Sequence, residues 1–179
     1  MKNKRRKLEK VLVFGILFAT LAFISVGCAS AARIYVPDNY TKIQWAVDNA
    51  SDGDTIVVRD GTYVENVAVN KSVTIRSENG SAKCIVDGGG RNNTFTLNAD
   101  GVAIESFTII GGRKFGAGIR VNSDNNTISG NNISNNYWCG ILLYYSSNNT
   151  ISGNNISNNE FGIYLNGSSN TISGNNIST

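Results

Sequence analysis

The nonapeptide NTISGNNIS occupies positions 126–134, 149–157 and 170–178. Its isoleucines Ile128, Ile151 and Ile172 are 23 and 21 residues apart, and the pairs Gly118-Ile119, Gly140-Ile141 and Gly162-Ile163 recur at 22 and 22. Between these marks the chain alternates with period two, so that Ile141 and Leu143 share one face, as do Ile163 and Leu165. Nothing in the unit has helical periodicity. Leucine-rich repeats have a similar length but need several leucines in a fixed frame, and calcium-binding nonapeptide coils need Gly-Gly-x-Gly-x-Asp, which is missing. A coil of about 22 residues with three short strands and three bends fits, and stacking such coils gives a parallel β-helix.

The abundance of asparagine follows from the bends. A bend that recurs in register leaves backbone groups without a ladder partner, and Asn tolerates left-handed angles while hydrogen-bonding the main chain. Asn132, Asn155 and Asn176 are the expected structural ladder. Shorter alternating strands at 55–58, 66–69, 72–77, 84–90, 94–97 and 102–112 extend the same object toward the N-terminus. Before them, 41–50 (TKIQWAVDNA) has Ile43, Trp45, Ala46 and Val47 near helical spacing, with Asn39 or Thr41 as N-cap. A helix there covers the apolar end of the first coil, with Ile43 and Trp45 as cap residues. Asp52-Gly53-Asp54 reads as the turn out of that helix.

Lys2, Lys4, Arg5, Arg6, Lys7 and Lys10 precede an apolar run at 11–26, followed by the small-x-small site of Ala29, Ser30 and Ala31. This is the pattern of an export signal over residues 1–31, with an uncleaved anchor as the alternative. The first ten positions hold six of the 16 basic residues and one of the 13 acidic ones. The near-neutral remainder removes the electrostatic case for a nucleic-acid partner. Membrane contact is then expected only through the signal segment. The expected organisation is signal peptide 1–31, N-terminal strand and capping helix 32–54, and β-helix 55–179.

The segments "IQWAVDNA", "DGDTIVV", "GTYVENV" and "GVAIESFTIIGG" resemble right-handed parallel β-helix proteins of the pectin-lyase-like superfamily. More narrowly they are similar to the NosD-like, carbohydrate-binding-and-sugar-hydrolase type. The resemblance spans the chain after the signal segment. It implies an all-β, right-handed solenoid, export to the cell surface or secretion, and a role in surface layers or polysaccharide contact. The NosD name also implies copper. Copper sites draw on His, Met or Cys thiolate, whereas histidine is absent and only Cys84 and Cys139 follow the signal segment. No metal or other cofactor is therefore expected. The two cysteines are 55 residues apart. About 2.5 coils separate them by roughly 10–14 Å, too far for a disulfide.

β-Helix lyases use carboxylate-held calcium with an Arg or Lys base, and hydrolases use close carboxylate pairs. From Asn125 onward Glu160 is the only acid, which points any such site to the irregular middle and to Asp87, Arg120 and Asp124. The aromatic residues suggest binding instead. Aligning coils by Gly140 and Gly162 places Arg120, Leu142 and Tyr164 in one outward stack and Tyr144 with Asn166 in the next, while Tyr137 and Trp138 lie in an insertion. Outward Tyr and Trp beside amides suit sugar rings and hydroxyls. Asn-x-Ser/Thr sequons are abundant, and loop positions such as Asn79 and Asn166 are the accessible ones. The last repeat ends at Thr179 without an amphipathic cap, which implies either truncation of a longer protein or end-to-end self-association.

The expectation is thus an exported β-helix with a structural or carbohydrate-binding role and a polysaccharide or cell-envelope partner. A polysaccharide lyase or glycoside hydrolase is the alternative.

Overall fold

The computed structural model describes residues 30–178; the expected signal segment lies outside them except for its last two positions, as does Thr179. Among the described residues every strand pairing is parallel, and strands one coil apart lie side by side in three sheets. The first sheet has seven strands, from Arg33–Val36 to Thr171–Ser173. The second has six, from Gly61–Val64 to Asn176–Ser178, and the third has five, from Val67–Val69 to Phe161–Asn166. Each coil visits the three in turn, so the chain is a parallel β-helix.

Period-two alternation turns every second side chain inward, and register places it on its counterpart in the next coil. In the first sheet Ile56, Ile75, Ile104, Ile128, Ile151 and Ile172 form one continuous stack. Ile109, Ile133, Ile156 and Ile177 do the same in the second sheet. Phe95, Ile119, Ile141 and Ile163 do so in the third. Most of these side chains have no exposed surface, but at the last described coil Leu165, Ile172 and Ile177 are 43–47% exposed.

The repeated Gly-Ile pair has a steric cause. A Cβ on Gly140 would meet the Gly162 carbonyl oxygen and Ile156 Cγ2, each at 2.7 Å. The third sheet crosses the inward isoleucines of the second there, and only hydrogen fits.

At each corner of the regular coils a residue in the left-handed region precedes a buried asparagine. Gly130 and Gly153 (φ 65° and 63°) precede Asn131 and Asn154; Asn135 and Asn158 (55° and 53°) precede Asn136 and Asn159; Asn125 and Asn148 (59° and 58°) precede Asn126 and Asn149. The side-chain oxygen of each buried asparagine accepts a backbone N–H from the coil before it. Examples are Val102 N–H to Asn126, Phe107 N–H to Asn131 and Gly112 N–H to Asn136, at 2.8–2.9 Å. The expected ladder at Asn132, Asn155 and Asn176 also forms, with Nδ2–Oδ1 distances of 3.3 and 2.9 Å, but on the solvent side. The buried ladders are three, one per corner, and lie one position from the expected one or at other bends.

The helix is Ile43–Asn49, and it buries Ile43, Ala46 and Val47 against the first coil. Neither Asn39 nor Thr41 caps it. Lys42 stands at the N-cap without a side-chain bond. The Glu65 carboxylate, from the coil below, accepts the Ile43 and Gln44 N–H groups at 3.0 and 3.1 Å. The Gln44 amide pairs with both backbone groups of Ala68, accepting at 2.7 Å and donating at 3.2 Å, and so closes the free edge of Val67–Val69. Trp45 is not a buried cap residue; it is 49% exposed. The Asp52–Asp54 turn is held by Asp54, which accepts N–H groups from Ala32 and Ser51.

Candidate functional site

The outward face of the third sheet carries the aromatic residues. Register sets Arg120 beside Leu142 and Leu142 beside Tyr164, with Tyr144 beside Asn166. Leu142 points outward yet is only 2% exposed, packed with Trp138, Ala117 and Cys139. Trp138 thus lies folded down on the sheet, and its ring is 5.8 Å from that of Tyr164. Phe161 stands edge-on to Tyr164 at 6.2 Å. Phe161 shares its register position with buried Cys139 but is 43% exposed.

A second cluster lies on the same sheet. Tyr144 meets Tyr145 edge-on at 4.6 Å, and the Arg120 guanidinium sits 4.6 Å over the Tyr144 ring while its Nε donates to Asn122 at 2.8 Å. Tyr137 belongs to neither cluster; it is 59% exposed and lines a groove at the corner between the second and third sheets. Sequence reasoning missed Phe161 and Tyr145. Their exposure depends on which coil follows and on a left-handed backbone at Tyr145 (φ 51°), neither of which a residue pattern displays.

Asp87, Arg120 and Asp124 are not brought together. Asp87 closes the second-sheet strand Cys84–Asp87, and its Oδ1 accepts the Gly89 N–H at 2.8 Å. Arg120 is in the middle of a third-sheet strand, engaged by Asn122 and Tyr144. Asp124 follows that strand at the next corner, where its Oδ1 accepts the Ser147 N–H at 2.7 Å. Among the described residues, no ion pair or hydrogen bond links any two of the three.

Cys84 and Cys139 are buried free thiols in different sheets. Desolvation pushes each up to about 12, where the thiolate a soft metal needs is scarce. Among the described residues no three His, Cys, Asp or Glu side chains gather as a metal cage requires.

In-register parallel coils, asparagine-lined corners and one aromatic outer sheet define a β-helix solenoid. The family model described as "Periplasmic copper-binding protein (NosD)" matches residues 47–179, and the chain belongs to the NosD family. The donor set just described does not fit the copper in that description. A cell surface glycoprotein of Methanothermus fervidus is 39% identical over 139 residues, covering 73% of this chain; the chain spans 22% of that protein's length. Among solved structures, an alginate lyase from Paenibacillus sp. str. FPU-7 superposes with a TM-score of 0.63 at 18% identity, covering 79% of this chain and 58% of the lyase. A pectin methylesterase in complex with a hexasaccharide gives 0.51 at 10% identity, covering 72% and 55%. At those identities the likeness is one of fold.

Proposed function

We propose that this chain is a cell-surface β-helix module that contacts carbohydrate through the outer face of its third sheet, without catalysis. The observation that carries the reading is the packed Trp138, Tyr164 and Phe161 cluster. Its rings pack on the outward side of a strand stack that backbone hydrogen bonds hold rigid. A sugar ring presents axial C–H groups that pack on an aromatic face, and the Asn166 amide two residues along from Tyr164 is placed to bond hydroxyls. Little side-chain entropy is lost on binding, because Trp138 is already held against Leu142.

The surface assignment is supported by the cell surface glycoprotein that the chain resembles and by the periplasmic description of its family. The non-catalytic assignment is supported by the separation of Asp87, Arg120 and Asp124 and by their local hydrogen bonds.

Affinity electrophoresis of the full chain in gels carrying neutral polysaccharides tests the reading. Retardation by at least one polymer is expected, with Tyr164→Ala or Trp138→Ala weakening it about tenfold, the worth of one aromatic contact. Retardation that both variants leave intact would remove the third sheet as the binding face.

A further inference from the structure

The corner between the second and third sheets carries two clefts that share one turn. The first, of about 430 Å³, is lined by Lys42, Trp45, Val64 and Arg91 among others, and the second, of about 550 Å³, by Arg113, Lys114 and Tyr137. Gly88, Gly89 and Arg91 line the first and Gly90 the second, and the Gly90 N–H donates to the Gly111 carbonyl at 2.9 Å. Tyr137 N–H donates to Gly112 in turn at 2.8 Å. The clefts therefore follow one another along the coil axis, at about 4.8 Å per coil.

Their chemistry is one-sided. Lys42, Arg91, Arg113 and Lys114 make no ion pair and no side-chain hydrogen bond among the described residues. Lys42 Nζ rests 5.1 Å over the Trp45 ring and Lys114 Nζ 5.6 Å over that of Phe115, leaving cation and aromatic surface side by side. The acids nearby are mostly spent. Glu65 accepts the two helix N–H groups and Asp87 the Gly89 N–H, while Glu160 at the far end of the second cleft is the exception. Gln44 and Asn66 are also satisfied by backbone groups. What the groove leaves free is positive charge and apolar surface, from the half-exposed Trp45 to the 68% exposed Val64.

We propose that this corner groove binds a carboxylate-bearing polysaccharide laid along the coil axis, with Arg91, Arg113, Lys42 and Lys114 meeting successive carboxylates and Trp45 stacking on a sugar ring. A linear polyanion matches unpaired cations spread along one groove, and charge-assisted bonds from Arg to carboxylate supply selectivity over a neutral chain. This site is separate from the third-sheet face and does not depend on it.

The test uses the full chain with polygalacturonate, its fully methyl-esterified form and a neutral galactan. Retention by polygalacturonate alone is expected, weakened by added salt. Loss of one Arg contact in Arg91→Gln or Arg113→Gln is expected to weaken it about tenfold. Trp45→Ala is expected to weaken it as well, and Tyr164→Ala to leave it unchanged. The glutamine variants remove exposed charges only and keep the parent's thermal unfolding, which separates a binding defect from misfolding. Equal retention of the free and esterified polymers, no retention of polygalacturonate, or unchanged binding in the arginine variants would each overturn the proposal. Loss in Tyr164→Ala alone would overturn it too, while leaving the third-sheet reading standing.

Discussion

The Asn154 side-chain oxygen accepts two hydrogen bonds from Asn131, one from its backbone N–H and one from its Nδ2, both at 3.0 Å. The Asn154 amide in turn donates to the Ile128 and Ser152 carbonyls at 2.9 and 3.2 Å and to Asn175 Oδ1 at 2.9 Å. One side chain thus satisfies the bend of its own coil and fastens it to both neighbours. Since Asn154 is 1% exposed, water cannot replace it. Asn154→Ala is expected to cost about 2–4 kcal/mol by leaving several buried groups unpaired. Asn155→Ala, in the exposed ladder, is expected to cost less than about 1 kcal/mol. Denaturant unfolding of the two variants measures the contrast.

Gly140 gives a steric counterpart. An added methyl would press on the Gly162 carbonyl and Ile156, and backbone cannot yield cheaply. Gly140→Ala is expected to destabilise by about 2 kcal/mol or more through overpacking. Gly153→Ala faces open space and pays only for its left-handed backbone (φ 63°), about 1 kcal/mol. Reversal of that order in denaturant unfolding would contradict the packing described for the third sheet.

How far the sequence revealed this architecture depends on which residues repeat. Ile128, Ile151 and Ile172 marked the coil because the core demands the same shape at each turn, and the structure stacks them in one line. The resemblance to NosD-like β-helices agreed with that reading. The ladder expected at Asn132 forms on the solvent side, but the buried one at Asn131 is not legible in sequence, because two adjacent asparagines look alike until the left-handed Gly130 is seen to turn only one inward. Glu65 as the helix cap was invisible because it lies 22 residues from Ile43 and reaches it only through the coil stacking. The candidate surfaces were the least legible. Outward positions obey no core constraint, so the pairing of Trp138 with Tyr164 and the exposure of Trp45 came only with coordinates.

Acid sensitivity is expected from Asp54 and Asp38. Backbone N–H groups of Ser51 and Ala32 hold the Asp54 carboxyl below its ordinary 3.8, and the hydrogen bond from Arg59 does the same for Asp38. A depressed carboxylate stabilises the fold fully above the unfolded value and loses that contribution as pH falls through the folded one. Stability is therefore expected to be level near neutrality and to decline once pH drops toward and below 3.8. Asp54→Asn, which sets an amide donor against an N–H, is expected to lower stability at neutral pH and to flatten the acid decline. Thermal melts across pH measure both.

The two thiols offer a probe of the core. Burial pushes Cys84 and Cys139 to about 12, so the folded chain is expected to resist an aromatic disulfide reagent at neutral pH. Both are expected to react once denaturant unfolds it. Rapid labelling of Cys139 in the folded state would mean that Trp138 does not close over Leu142 as described.

The measurement that bears most directly on the account follows binding and cleavage together. The full chain is incubated with acidic and neutral polysaccharides, with and without calcium, while gel retardation, unsaturated-product absorbance and new reducing ends are recorded. The account predicts retardation with no product of either kind, and retardation by a neutral polymer that weakens in Tyr164→Ala. Calcium-dependent product that disappears in Arg120→Ala would contradict it and make the chain a lyase.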